Sequence, residues 1–135
     1  MNVSRTTQLK DAIGYPDPVP DGASSFVFRV DGFAVEASDL PGGVLRLVCP
    51  LDASGEELPQ LADWATGRIL RDDATLSVSP SGEPFLWREI PAGTGPDALR
   101  RAFETFLDAC DWWRARLDEG SSRETARFPE VVIRP

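Results

Sequence analysis

The sequence contains no histidine, and this absence removes several kinds of chemistry at once. Histidine is the commonest general base, the usual partner of a nucleophilic serine or cysteine, and the commonest zinc ligand. The chain has two cysteines, Cys49 and Cys110, which lie far apart without a CxxC spacing, so a structural zinc site is not expected. No GxGxxG or GxxxxGK[ST] motif is present to bind phosphate. The sequence therefore predicts a protein that is not an enzyme and uses no cofactor or metal.

Basic residues and long apolar runs are also scarce. Lys and Arg number 14 against 22 Asp and Glu, a net charge of -8, which disfavours nucleic acid or an anionic membrane as a partner. No apolar run approaches the roughly 20 residues that span a bilayer, and the N-terminus lacks the hydrophobic region of a signal peptide. We predict a cytoplasmic protein that binds neither nucleic acid nor membrane.

The length of 135 residues fits one domain, predicted over residues 1–119, with a mobile tail over residues 120–135. Both cysteines occupy core positions in predicted elements. Buried free thiols are a better interpretation than a disulfide, because free cysteine packs as a small hydrophobic residue.

Apolar periodicity gives the predicted elements. A first helix over residues 2–13 is capped by Ser4 or Asn2 and ended by Gly14 and Pro16. Two strands, residues 26–30 and 33–37, flank the hairpin signal Asp31-Gly32, and a third strand covers residues 44–51.

The second half of the chain repeats the mixture of helix and strand. A second helix is predicted over residues 58–70, then two strands around residues 76–78 and 85–90, and then a long amphipathic helix over residues 99–117. The order α-β-β-β-α-β-β-α predicts an α+β sandwich, in which a twisted antiparallel sheet carries the helices on one face.

Several apolar side chains have no place in this simple core. Trp64 and Trp112 lie well off the apolar stripes of their helices, and exposed tryptophan is enriched at interfaces. A loop or the C-terminal tail could equally cover them. Phe85 and Trp87 point away from Leu86, so that strand is apolar on both faces. The simplest interpretation is a homodimer with a groove for another polypeptide.

The order of elements, together with six local patterns, resembles the Tir-chaperone (CesT-like) family of class I type III secretion chaperones. The patterns are Phe28-Arg29-Val30-Asp31, Phe33-Ala34-Val35, Leu45-Arg46-Leu47-Val48-Cys49-Pro50-Leu51, Leu61-Ala62-Asp63-Trp64-Ala65, Phe85-Leu86-Trp87-Arg88-Glu89-Ile90-Pro91, and the spaced series Phe103, Phe106, Leu107, Cys110, Trp113, Leu117. The set covers most of residues 25–118, and its order is more specific than any single member.

The resemblance implies a homodimer that binds the N-terminal segment of a secreted effector before export, without ATP or metal. Dimerisation in this family commonly uses the second helix and the following strand. The corresponding residues here are Trp64, Ile69, Leu70, Leu76 and Val78. Apolar patches on the first helix and the sheet bind the effector, to which we add Trp112. The predicted effector-binding residues are Leu9, Ile13, Phe26, Phe28, Val30, Phe33, Val35 and Trp112.

Two other functions are compatible with the same sequence. One is a stand-alone interaction or regulatory module with this fold, which binds a folded partner in another pathway. The other is a small-molecule enzyme built on Asp72, Asp73 and Glu89, which requires these carboxylates to converge in a concave pocket.

Overall fold

Five strands form one antiparallel sheet, and two helices pack on one of its faces. The computed structural model describes residues 4–20, 23–51 and 74–133, with side chains through residue 116. The elements are α1 (Arg5–Ile13), β1 (Ser25–Val30), β2 (Phe33–Asp39), β3 (Leu45–Pro50), β4 (Thr75–Val78), β5 (Pro84–Ile90) and α2 (Pro96–Ile133), with a short 3-10 turn at Pro41–Gly43. The strand order is β1-β2-β3-β5-β4, with every neighbouring pair antiparallel. The predicted α+β class and sheet are confirmed.

Two of the predicted helices differ in their outcome. The predicted second helix, residues 58–70, lies outside the described residues. Helix α2 continues to Ile133, well beyond the predicted end at Leu117, and so includes residues 120–133 of the predicted tail. The mobility of that tail stays a prediction.

Local sequence signals explain where the first elements begin and end. Ser4 Oγ accepts the N–H of Thr7 at 3.1 Å and caps α1, and Gly14 ends the helix in the left-handed conformation, with φ 69°. Asp31 and Gly32 both have positive φ, 52° and 81°, as a two-residue type I′ hairpin requires. The predicted cap, helix end and hairpin are therefore confirmed.

The core lies between the sheet and the helices. In α2 the predicted stripe is buried from Leu99 to Trp113, and it packs on alternate residues of the strands. The largest fully buried side chains are Trp113, Phe28, Phe103 and Phe106. Cys49 and Cys110 are both buried free thiols, as predicted.

A polar contact fixes α1 on the end of β2. Thr6 is fully buried, and Asp39 Oδ1 accepts hydrogen bonds from both its N–H and its hydroxyl at 3.0 Å. A carboxylate at this position also interacts favourably with the positive N-terminus of the helix.

We expect Asp39→Ala to lower the free energy of unfolding by about 1–2 kcal/mol, because it leaves two buried donors of Thr6 without their acceptor. Asp39→Asn keeps an acceptor oxygen and is the matched control, expected to cost less than half as much. Urea denaturation followed by far-UV circular dichroism measures both. Equal stability of wild type and Asp39→Ala would show that water replaces the carboxylate.

Candidate protein-interaction surfaces

The face of the sheet opposite the helices carries three apolar side chains and one glutamate in a single row. The register aligns Val27, Glu36, Val48 and Trp87 across β1, β2, β3 and β5. Val27 is 39% exposed, and Val48 and Trp87 are half-buried. Both described helices pack on the other face, so no described helix covers this row.

Part of this face of the sheet forms a shallow cavity of about 370 Å³, which we call the open-face patch. Its lining residues are Arg46, Val48, Phe85 and Trp87. Trp87 Nε1 donates to Ser77 Oγ at 2.7 Å, so the polar edge of the indole has a partner within the sheet. The Arg46 guanidinium lies 5.6 Å from the ring centroid and also pairs with Glu89 at 2.8 Å. These contacts hold the ring in place and leave its apolar surface available to a partner.

A larger cavity of about 560 Å³ lies at the outer edge of β1, between the end of α1 and the middle of α2. We call it the edge groove. Its lining residues are Ile13, Gly14, Tyr15, Pro16, Asp17, Arg29, Val30, Asp31, Phe103, Glu104 and Leu107. The apolar lining residues come from three separate elements, and charged residues line the same groove. Such a combination of apolar and polar groups is typical of a binding pocket.

Tyr15 connects the edge groove to the strand beside it. Because Gly14 ends α1, the chain turns and places the Tyr15 ring edge-on against Phe26 and Phe28, at centroid distances of 6.0 and 4.9 Å. The Tyr15 hydroxyl accepts the backbone N–H of Arg29 at 3.2 Å. Strand β1 is an edge of the sheet, so this hydroxyl occupies one of the amides that another strand would use.

The predicted effector-binding residues divide into buried and accessible groups. Leu9, Phe28, Phe33 and Val35 lie in the core, with at most 5% of their surface exposed. Their side chains stabilise the fold and offer almost no surface to a partner. The accessible group comprises Ile13 and Val30, which line the edge groove, together with the half-buried Phe26 and Trp112.

Trp112 is half-buried against the core. Its ring contacts Trp113 edge-to-face, with centroids 5.2 Å apart, and the Arg116 guanidinium lies 5.1 Å from its centroid. Neighbouring side chains of the same helix thus cover part of the indole. Part of its surface is exposed to solvent.

The predicted dimer residues are only partly described. Trp64, Ile69 and Leu70 lie outside the described residues. Leu76 is half-buried and packs against the core, whereas Val78 is 47% exposed on the edge strand β4. Of the two described members, Val78 therefore has more surface available than Leu76.

The enzyme alternative gains no support from the described residues. Asp72 and Asp73 lie outside them, and Glu89 is exposed on the sheet, paired with Arg46. Within the described ranges, no three acidic or thiol groups come close enough to hold a metal ion. In the same part of the chain, no helix combines the length and apolarity of a membrane span.

Among the residues that line the edge groove, the sequence analysis predicts only Ile13 and Val30 as partner contacts; Tyr15, Leu107 and Phe103 are among those that it missed. Tyr15 stands in a proline-rich loop, and Leu107 lies beside the buried stripe of α2. Phe103 was assigned to the core alone, yet it also lines the groove. The three come together only through the packing of α1 against α2, which leaves no local signal in the sequence.

Comparison with solved structures identifies the fold. A chain of the HopA1–SchA chaperone–effector complex aligns with a TM-score of 0.64 and 22% identity, over 82% of this chain and 93% of that chain. A chain of the ExsC–ExsE complex aligns with a TM-score of 0.66 and 21% identity, over 87% and 97%. The complex of the Yersinia pestis type III secretion chaperone SycH with a fragment of YscM2 aligns with a TM-score of 0.60 and 13% identity, over 79% and 94%.

The chain has the fold of the type III secretion chaperones. The alignments cover nearly the whole of each matched chain, so the likeness concerns the complete fold and not one shared motif. No protein-family model matches the sequence, and no curated protein matches it. The predicted fold is confirmed, whereas identities of 13–22% leave membership of the Tir-chaperone (CesT-like) subfamily as a prediction.

Proposed function

We propose that this protein is a homodimeric type III secretion chaperone of the bacterial cytoplasm. It binds the N-terminal segment of a secreted effector and keeps that segment competent for export, without catalysis or a cofactor. The observation that supports this proposal is the likeness of 82% of this chain to nearly the whole of a chain in a chaperone–effector complex.

The accessible apolar surfaces suggest how an extended segment would bind. The edge groove and the open-face patch lie on different sides of the sheet, so one long segment must pass around the sheet to contact both. Within the groove we propose Ile13 and Val30 as contacts, with Phe26, which lies beside Tyr15, and Trp112 as further contacts outside it. Leu9, Phe28, Phe33 and Val35 then act through the core that positions these contacts.

The two edge strands of the sheet differ in how available their backbone groups are for pairing with another strand. On β1 the Tyr15 hydroxyl already occupies the N–H of Arg29, so an added strand must displace it or pair elsewhere. On β4 we propose that Val78 and Leu76, together with Trp64, Ile69 and Leu70, form the dimer interface. Pairing between copies there would cover the second edge, which proteins commonly protect.

Co-expression with the product of the adjacent gene tests the function. We expect the two proteins to co-purify, with about two copies of this chain in each complex by light scattering. A client that lacks its first hundred or so residues is the matched control and should not be captured. Deletion of the gene for this chain should lower export of that client while other clients are exported normally. A monomer that captures no client would contradict the proposal.

The same experiment separates the second candidate, an interaction or regulatory module with this fold. The low identity to each structural neighbour keeps this candidate open, because partners change while a fold persists. Such a module would bind a folded partner, and capture would survive removal of the partner's N-terminal segment. Export of that partner would not depend on this chain.

A further inference from the structure

The edge groove combines an apolar floor with an acidic rim. Ile13, Val30 and Leu107 supply aliphatic surface, and Asp17, Asp31 and Glu104 supply carboxylates. Arg29 is the one cation of the lining. A groove of about 560 Å³ exceeds the needs of one side chain and suits a short stretch of peptide, since pockets for ligands of that size run from roughly 300 to 1,000 Å³.

Neither aspartate of the rim pairs with a cation in the part of the chain that the structure describes. Among the described residues, no ion pair involves Asp17 or Asp31, whereas Glu104 lies 3.8 Å from Arg100. Arg114 lies near the same hairpin, but its guanidinium donates to the Gly32 carbonyl at 3.2 Å and stacks on Phe33. The negative charge of Asp17 and Asp31 is therefore left for a partner.

The backbone around both aspartates is held in place. Asp31 occupies the left-handed position of the β1–β2 hairpin, whose tip Arg114 fixes through Gly32. Asp17 stands between Pro16 and Pro18, two residues after the anchored Tyr15. These segments therefore lose little conformational entropy when a partner binds to their carboxylates.

We propose that Asp17 and Asp31 are specificity-determining residues, which select a client segment with a lysine or arginine next to large aliphatic side chains. The aliphatic side chains enter the groove, and the cation lies between the two carboxylates at its rim. The inference rests on the proposed function, since it names the kind of client segment that this groove accepts. Charge complementarity of this kind contributes selectivity more than total affinity.

Three fluorescein-labelled peptides of equal length test the selectivity. Each carries the same two leucines, flanked by arginine in the first, glutamine in the second and glutamate in the third. Fluorescence anisotropy with the full chain should show the arginine peptide binding about fivefold or more tightly than the glutamine peptide, and the glutamate peptide most weakly. This preference should shrink when salt is raised from about 50 mM to about 500 mM.

Matched variants assign the preference to the rim. The double variant Asp17→Asn and Asp31→Asn keeps side-chain size and should bind the arginine and glutamine peptides within about twofold of each other. The control, Glu36→Gln with Glu83→Gln, removes two exposed carboxylates outside the groove and should keep the full preference. Leu107→Ser should weaken the binding of all three peptides to the same extent. A urea unfolding curve of this variant checks that the variant folds.

The outcomes separate this inference from the function on which it rests. Three outcomes overturn the inference, even if a client is captured in cells. The first is that none of the three peptides binds, and the second is that all three bind equally. The third is that the preference for the arginine peptide survives in the double variant Asp17→Asn and Asp31→Asn. Peptide selectivity that disappears with the two aspartates supports it. If no client is captured while the selectivity holds, the chaperone function fails and the groove stands as a basic-peptide site.

Discussion

Trp113→Ala is expected to lower the free energy of unfolding by about 3–5 kcal/mol, the range for removal of a large aromatic side chain from a core. Trp113 is 2% exposed and belongs to the buried stripe of α2 that covers the sheet. Its removal leaves a cavity bounded by a helix and a sheet, which cannot both move inward without disturbing their other contacts. Urea denaturation followed by far-UV circular dichroism measures the change independently of tryptophan fluorescence.

Trp112→Ala is the matched control for this prediction. The two residues are neighbours on one helix and contact each other, yet Trp112 is only half-buried. We expect Trp112→Ala to cost about 1 kcal/mol, since part of its surface already faces water. Similar costs for the two variants would mean that α2 packs in a different rotation about its axis.

The stripe that contains Trp113 illustrates what sequence periodicity can predict. Leu99, Phe103, Phe106, Cys110 and Trp113 recur at helical spacing, and all five are buried as that spacing requires. The hairpin at Asp31 follows from two residues that tolerate positive φ. Both signals are local, so no knowledge of the rest of the fold is needed to interpret them.

Choosing the covered face of the sheet required more than local information. Strands β3 and β5 carry apolar residues on both faces, with Leu47 and Leu86 on one side and Val48 and Trp87 on the other. A period of two residues separates the faces without saying which of them meets the helices. The family resemblance predicts Phe28, Phe33 and Val35 as partner contacts, whereas their side chains lie on the covered face.

The candidate site was harder to predict than the fold. The edge groove brings together residues 13–17 at the end of α1, residues 29–31 at the end of β1 and one turn of α2, which are separated by most of the chain. Each segment contributes side chains that look ordinary in its own element. The groove exists because α1 packs against α2 and Gly14 turns the chain across the edge of the sheet, and both are tertiary effects.

Cys110 is expected to make the protein less stable as the pH rises above about 8.5, the ordinary pKa of a cysteine thiol. A hydrogen bond with the Cys49 side chain, together with burial, raises the pKa of Cys110 well above that value, and Arg114 opposes the shift only in part. The folded state therefore keeps this proton at alkaline pH while the unfolded chain releases it. Fewer protons are bound in the unfolded state, so alkaline pH favours unfolding.

The size of this effect follows from proton linkage. One group that titrates only in the unfolded state lowers the free energy of unfolding by 1.36 kcal/mol per pH unit, or about 2 kcal/mol between pH 8.5 and pH 10. Cys110→Ala removes the group, while Tyr15, Lys10 and the arginines remain in both proteins. Urea denaturation of wild type and Cys110→Ala at pH 7.5 and about pH 10 gives the difference between their pH dependences. Parallel pH dependences would show that the thiol ionises in the folded protein, and therefore that water or another cation reaches the Cys49–Cys110 contact.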